Sequence, residues 1–159
     1  MRNLGLRRTH PAMLLATWFG CGLLPKMPGT WGSLAALPLG WIIVYFSGSV
    51  GLLIAAAAVF AIGCWASGVV ERASGIKDAQ FIVIDEVAGQ LIALAPAPLL
   101  PLPYIAGLLL FRFFDIAKPF PIRWIERSFP GGFGVMADDI AAAIYAAIVL
   151  AVGEYVLAR

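Results

Sequence analysis

The chain alternates long charge-free apolar runs with short charged intervals, and several runs approach the length of a helix that crosses a bilayer. No charged residue occurs from Met27 to Val70, and Ser47-Gly48-Ser49 divides that run into two arms. A turn at the division makes the run a helical hairpin. At about 1.5 Å rise per residue, Val50 to Val70 is long enough to span a hydrocarbon core, whereas Trp31 to Phe46 is marginal and carries Pro38. Small residues at Ala55 to Ala58, Gly63, Ala66 and Gly68 suit close packing between membrane helices. The rival reading, two helices buried in a soluble core, accommodates so long a charge-free run poorly.

The next run, Val87 to Phe111, holds Pro96, Pro98, Pro101 and Pro103 in its middle. Those prolines cannot sit inside one regular helix, because each lacks an N–H and clashes with the preceding turn. The pattern predicts two short helices that form a re-entrant or tilted pair rather than two full spans. Asp139 to Ala158 predicts a last helix of spanning length, with Asp138 or Asp139 at its N-cap. Before it, IRWIERSF puts Ile122, Ile125 and Phe129 on one side and Arg123, Glu126 and Arg127 elsewhere, as in an interfacial helix. Near the N-terminus, Arg2, Arg7 and Arg8 precede a short apolar run, as in a signal peptide, but no small-x-small cleavage site follows. The bulky Trp18 and Phe19 argue against a lipoprotein box at Gly20-Cys21, so a short interfacial helix anchored by arginines is expected. The expected fold is all-α: a polytopic membrane helical bundle with a proline-broken pair of short helices and an interfacial helix, forming one domain over residues 1–159.

Composition strengthens that picture. Hydrophobic residues make up 62% of the chain, charged residues 13%, and the mean hydropathy is +0.92. Ordinary soluble domains are about half apolar and about a quarter charged. The net charge of +2 is too small to argue for nucleic acid. Cys21 and Cys64 lack metal-ligand spacing and read as small buried hydrophobes. His10 is the only histidine, which excludes a His-rich metal cluster and reads as a surface residue ahead of Pro11. In the expected topology every lysine and arginine except Arg159 shares one side, so the positive-inside rule puts the N-terminus and the loops over residues 71–86 and 112–138 in the cytoplasm.

Charged chemistry is concentrated in three places. Asp85-Glu86, within FIVIDEVAGQLIAL, is an adjacent carboxylate pair set between apolar runs. Removing both from water is costly without compensation, and a divalent cation held with waters and phosphate is one remedy. A helix start, where acids meet the positive dipole end, is the equal alternative. Asp138-Asp139 is a second pair, behind Gly131 to Gly134. Capping explains one aspartate but not two, and the glycines form either a plain turn or a close approach to a phosphate head group. An EF-hand is excluded, because the alternating oxygen ligands of its loop are missing. Finally, Arg112, Asp115 and Lys118 recur at i, i+3 and i+6 before Pro119 ends the helix. They form either a mutual ion-pair ladder or, beside a metal, a receptor for a phosphate monoester.

Four ordered blocks resemble the phosphatidylglycerophosphatase A family over most of the chain: LLPKMPGTWGSLAALP (Leu23 to Pro38), IDEVAGQ (Ile84 to Gln90), FRFFDIAKPFPIRWIER (Phe111 to Arg127) and GGFGVMADDIAA (Gly131 to Ala142). The resemblance implies a Mg2+-dependent hydrolase that takes the terminal phosphate from phosphatidylglycerophosphate in the inner membrane of a bacterium, with an all-helical fold. Ala143 stands where the family pattern has glycine, which concerns helix packing more than the site. The family's acidic positions fall on Asp85, Glu86, Asp115, Asp138 and Asp139, and its basic positions on Lys26, Arg112 and Lys118. The resemblance implies that the acidic pairs supply the magnesium ligands, with Asp85, Glu86 and Asp138 the first choice, and that the cations bind the substrate phosphate. Asp115 is left as base, ligand or nucleophile. A loop from Pro28 to Ser33 would add backbone donors and the Thr30 hydroxyl, with a plain turn as the alternative. Two competing functions are a lipid phosphotransferase, whose spaced aspartate and glycine pattern is missing here, and a small cation-binding transporter or scaffold.

Overall fold

The structure, a computed structural model, describes residues 6–159, and every regular element among them is helical. In chain order these are α1 (Pro11–Ala16), a 3-10 turn (Cys21–Leu23), α2 (Pro28–Ser74), α3 (Ile84–Ala93), α4 (Pro101–Ala117), α5 (Ile122–Ser128) and α6 (Gly131–Leu157). The expected hairpin is present inside α2. Gly48, at φ 66° and ψ −173°, interrupts the helix with a backbone conformation open mainly to glycine. The chain folds back there, since a Cβ on Gly40 would lie 3.7 Å from the Leu52 side chain. On the second arm Ala56, Gly63, Ala66 and Gly68 turn inward while Ala57 and Ala58 face out, so the small residues divide by helical phase.

The proline-rich run also breaks as its composition requires. α3 ends at Ala93, a turn holds Pro96 and Pro98, and α4 starts with Pro101 in its first turn, where a missing N–H does no harm. By length and composition α2 and α6 are apolar enough to cross a membrane. Large apolar side chains on both face outward, among them Phe46, Val50, Ile54, Val152 and Leu157.

Two expectations are corrected. The Pro28 to Ser33 segment is the opening of α2 and not a loop, because Pro28 supplies a pre-set helical φ at the first position. Likewise α6 starts at Gly131, so Asp138 and Asp139 lie inside the helix and cap nothing. Its Gly132 and Gly134 allow backbone to approach backbone: a Cβ on the first would strike the Cys64 carbonyl, and on the second the Phe129 carbonyl. Near the N-terminus, where a short interfacial helix was expected, α1 buries Ala12, Met13 and Ala16 completely against protein and leaves Leu14 exposed. Arg7 and Arg8 are exposed ahead of it, and Arg2 lies outside the described residues. His10 caps α1, its Nδ1 accepting from the Ala12 N–H at 3.2 Å.

α3 is the hub. Its Ile84 and Ala88 pack with Met13, Val70 and Met136; its Val87 and Leu91 pack with Ala36, Leu52 and Tyr104; its Ala93 packs with Phe111, Ile122 and Ala143. A helix of 10 residues packed against all its neighbours carries whatever stands in its first turn to a largely buried position. Here that is Asp85-Glu86.

Candidate active site

Four elements surround one end of α3, and two of them bring charged groups to it. The Val83 N–H donates to the Ala16 carbonyl at 2.8 Å, so the end of α1 pins the residue that precedes α3. α6 supplies Asp138 and Asp139, and the last turns of α4 supply Arg112 and Asp115. Lys118 ends α4 in a left-handed conformation, φ 43° and ψ 59°, which costs roughly 1–2 kcal/mol for a residue with a Cβ. The opening of α2 closes the fourth side. A Cβ on Gly29 would run into the Glu86 carboxylate and come within 3.1 Å of the Arg112 guanidinium, so a larger residue there would have to displace that carboxylate.

Asp85, Glu86 and Asp139 converge, each offering a carboxylate oxygen within 4.8 Å of the others. Asp85 and Asp139 are buried, and Asp85 Oδ1, Glu86 Oε2 and Asp139 Oδ2 accept no hydrogen bond. Burial, and next the charge of Glu86, pushes the Asp85 carboxyl well above its ordinary pKa. Burial also raises Glu86, against the lowering effects of Asp85 and Arg112. Buried acceptors without donors are destabilising. A small cation answers all three at once, and an all-oxygen carboxylate set suits a hard divalent ion. The cluster could therefore hold a metal ion.

Asp138 is handled differently. Lys118 Nζ donates to Asp138 Oδ2 and to Glu126 Oε1, both at 2.8 Å. Burial would lower the lysine's pKa, but the hydrogen bonds to Asp138 and then Glu126 outweigh it and hold the ammonium above its usual range. Arg112 Nη1 lies 2.6 Å from Asp115 Oδ2 and 3.8 Å from Glu86 Oε1. Neither contact completes a hydrogen bond: Nε and Nη1 of Arg112 are buried and have no aligned acceptor. The expected ladder is thus half formed, with Arg112 on Asp115 and Lys118 turned to other partners.

All of these groups but Glu126 line one open cavity of about 350 Å3. Lys26 is exposed and outside it, its carbonyl accepting from Trp31 Nε1 at 3.2 Å. Thr30 follows Gly29 with its hydroxyl buried and unpartnered, but it does not form part of the wall. The sequence reading missed Asp78 and Gln80, which sit at the cavity, and Glu126 as a partner of Lys118. A lone acid in the loop that leads to Asp85 was a usable signal for Asp78. None existed for Glu126, since the break at Pro119 to Pro121 severs any helical phase between it and Lys118.

A family model described as phosphatidylglycerophosphatase A matches residues 14–154, a span that contains the whole cavity. The chain belongs to the phosphatidylglycerophosphatase A family. It is 46% identical to a phosphatidylglycerophosphatase A of Haemophilus influenzae, over 92% of this chain and 90% of that one. It is 37% identical to a phosphatidylglycerophosphatase A of Escherichia coli, over 91% of this chain and 84% of that one. A third relative, from Bacteroides thetaiotaomicron, is provisionally named a phosphatidylinositol-3-phosphatase and is 38% identical over 91% of this chain and 94% of its own. No solved structure matches the chain significantly. Both relative names concern a phosphate monoester on a lipid head group.

Proposed function

We propose that this member of the phosphatidylglycerophosphatase A family is a Mg2+-dependent lipid phosphatase that hydrolyses phosphatidylglycerophosphate to phosphatidylglycerol and inorganic phosphate in phospholipid biosynthesis. It acts as one domain in a bacterial inner membrane, crossed several times, with the site facing the cytoplasm. One observation carries this reading: a single cavity holds buried acceptors without donors, on Asp85, Glu86 and Asp139, beside the buried guanidinium of Arg112, whose ion pair with Asp115 leaves Nε without an acceptor. A cation and a phosphate together would satisfy both sets. Asp85, Glu86 and Asp139 would hold the metal, and when bound it would supply charge neutralisation at the phosphoryl oxygens and a lower pKa for an attacking water.

The protein groups have separable roles. Arg112, ion-paired with Asp115 through Nη1, presents its remaining N–H groups to phosphoryl oxygens. Lys118 has three donors, two of them occupied by Asp138 and Glu126, so one remains for the phosphate. Asp115, steadied by Arg112, is placed to take a proton from water. Asp138 positions Lys118 rather than meeting the metal. The acyl chains stay in the bilayer along the outward apolar residues of α2 and α6.

The test is phosphate release from phosphatidylglycerophosphate in detergent micelles. Release should stop on chelation and return with Mg2+ alone. Turnover that survives thorough chelation sinks the metal assignment. Parallel assays with phosphatidylinositol 3-phosphate, with a nucleotide-activated lipid, and of cation flux in liposomes separate the head-group alternatives, the phosphotransferase and the transporter.

A further inference from the structure

α5 carries basic groups that the phosphatase chemistry leaves unused. Ile122 anchors it, fully buried against Phe111 and Ala142, and the Tyr145 hydroxyl donates to the Phe120 carbonyl at 3.0 Å, which ties the entry to α5 onto α6. Arg123 and Arg127, one turn apart, are exposed and make no ion pair or hydrogen bond among the described residues. The one acid between them, Glu126, is taken by Lys118. Both arginines line a second open cavity, of about 490 Å3, together with Phe120 and Trp124, which are 80% and 58% exposed.

This second cavity shares one wall residue with the acidic one. Lys118 forms part of both walls, with Asp138 on one side of it and the two arginines on the other. The two halves have opposite character. The acidic half requires a cation before it accepts a phosphate monoester, whereas no carboxylate lines the basic half, which would take a singly charged anion directly. Two exposed aromatics beside two unpaired guanidiniums also match a group whose charge sits next to an apolar body.

We propose that Arg123 and Arg127 form a subsite for a phosphodiester, the second phosphate of a lipid substrate whose terminal monoester occupies the acidic cavity. The proposal rests on the lipid phosphatase reading and adds a rule of selectivity: the preferred substrates carry a phosphodiester one short linker away from the monoester. A lipid whose sole phosphate is a monoester leaves the arginines unused. A membrane-anchoring patch would use the same residues, and soluble substrates separate the two, because they remove the bilayer.

The test uses the full chain in detergent and the exposed double variant Arg123→Ala/Arg127→Ala. For deacylated phosphatidylglycerophosphate, which has both phosphates and no acyl chain, kcat/KM should fall about 10- to 100-fold, the value of one or two charge-assisted hydrogen bonds. For glycerol 3-phosphate, which has the monoester alone, it should not change. Equal losses on both, or a loss seen only with lipid in bilayers, overturns the subsite. A binding arm stands apart from turnover: glycerophosphoglycerol, with the diester alone, should bind wild type more tightly than the double variant, and equal affinities overturn the proposal. If wild type releases no phosphate from any substrate, the phosphatase reading fails while the binding arm still decides the subsite.

Discussion

Asp138 and Asp139 are consecutive on one helix and are treated in opposite ways. Successive helical residues point about 100° apart, so Asp138 meets Lys118 at the end of α4 while Asp139 meets Asp85 and Glu86 at the start of α3. The first is a closed pair. The second belongs to a cluster of acceptors that no side chain completes. A carboxylate bound to a cation holds its neighbours in place, and hydrogen bonds of that kind contribute about 1.5–3 kcal/mol each. A buried carboxylate with no cation costs several kcal/mol, a penalty that a protein retains where an external ion removes it. On the proposed reading the contrast separates a positioning acid, Asp138, from an acid placed to bind the ion, Asp139.

The sharpest way to break this comparison is to neutralise its two members in turn. Asp139→Asn should lower phosphatase turnover about 10³-fold, the equivalent of several kcal/mol of lost charge stabilisation, and weaken Mg2+ binding measured by calorimetry. Asp138→Asn should cost less, about 10- to 100-fold, and leave Mg2+ affinity near wild type, since the amide oxygen still accepts from Lys118 and only the charge opposite the ammonium is lost. The reverse order would exchange their roles. Lys118→Met tests the closed pair from its other side. It should cut turnover about 10- to 100-fold through lost phosphate contact, with metal affinity retained. An unchanged KM and kcat would remove the lysine from the site. The smallest effect is expected from Gly29→Ala, whose methyl displaces the Glu86 carboxylate. Overpacking of this sort costs about 1–3 kcal/mol, read as a lower unfolding midpoint in detergent, and Gly29→Ala protein as stable as wild type would show that the α2 opening is free to move.

Much of the fold was legible because its signals are local. Gly48 between two apolar arms and the four prolines of residues 96–103 break helices wherever the rest of the chain lies, since the cause is backbone geometry. The helix starts were less legible. Pro28 opens α2 and Gly131 opens α6 earlier than the polar residues suggested, because glycines there pack against Glu86 and the Cys64 carbonyl, contacts that no window of sequence contains. The protein partners of α1 were not legible either: Ala12, Met13 and Ala16 cluster with Val70 and Phe81, residues far away in sequence.

The sequence by itself determined which chemistry was present: two acidic pairs, a short run of cations, apolar helices around them and blocks that resemble one family. Only the tertiary structure decided the partners. Asp139 joins Asp85 and Glu86, Asp138 and Glu126 share Lys118, and Arg112 pairs with Asp115. The reason is that residue type and helical breaks are properties of neighbours along the chain. Which carboxylate meets a lysine and which meets another carboxylate depends instead on the rotation of α6 against α3 and α4, and distant packing surfaces set that rotation.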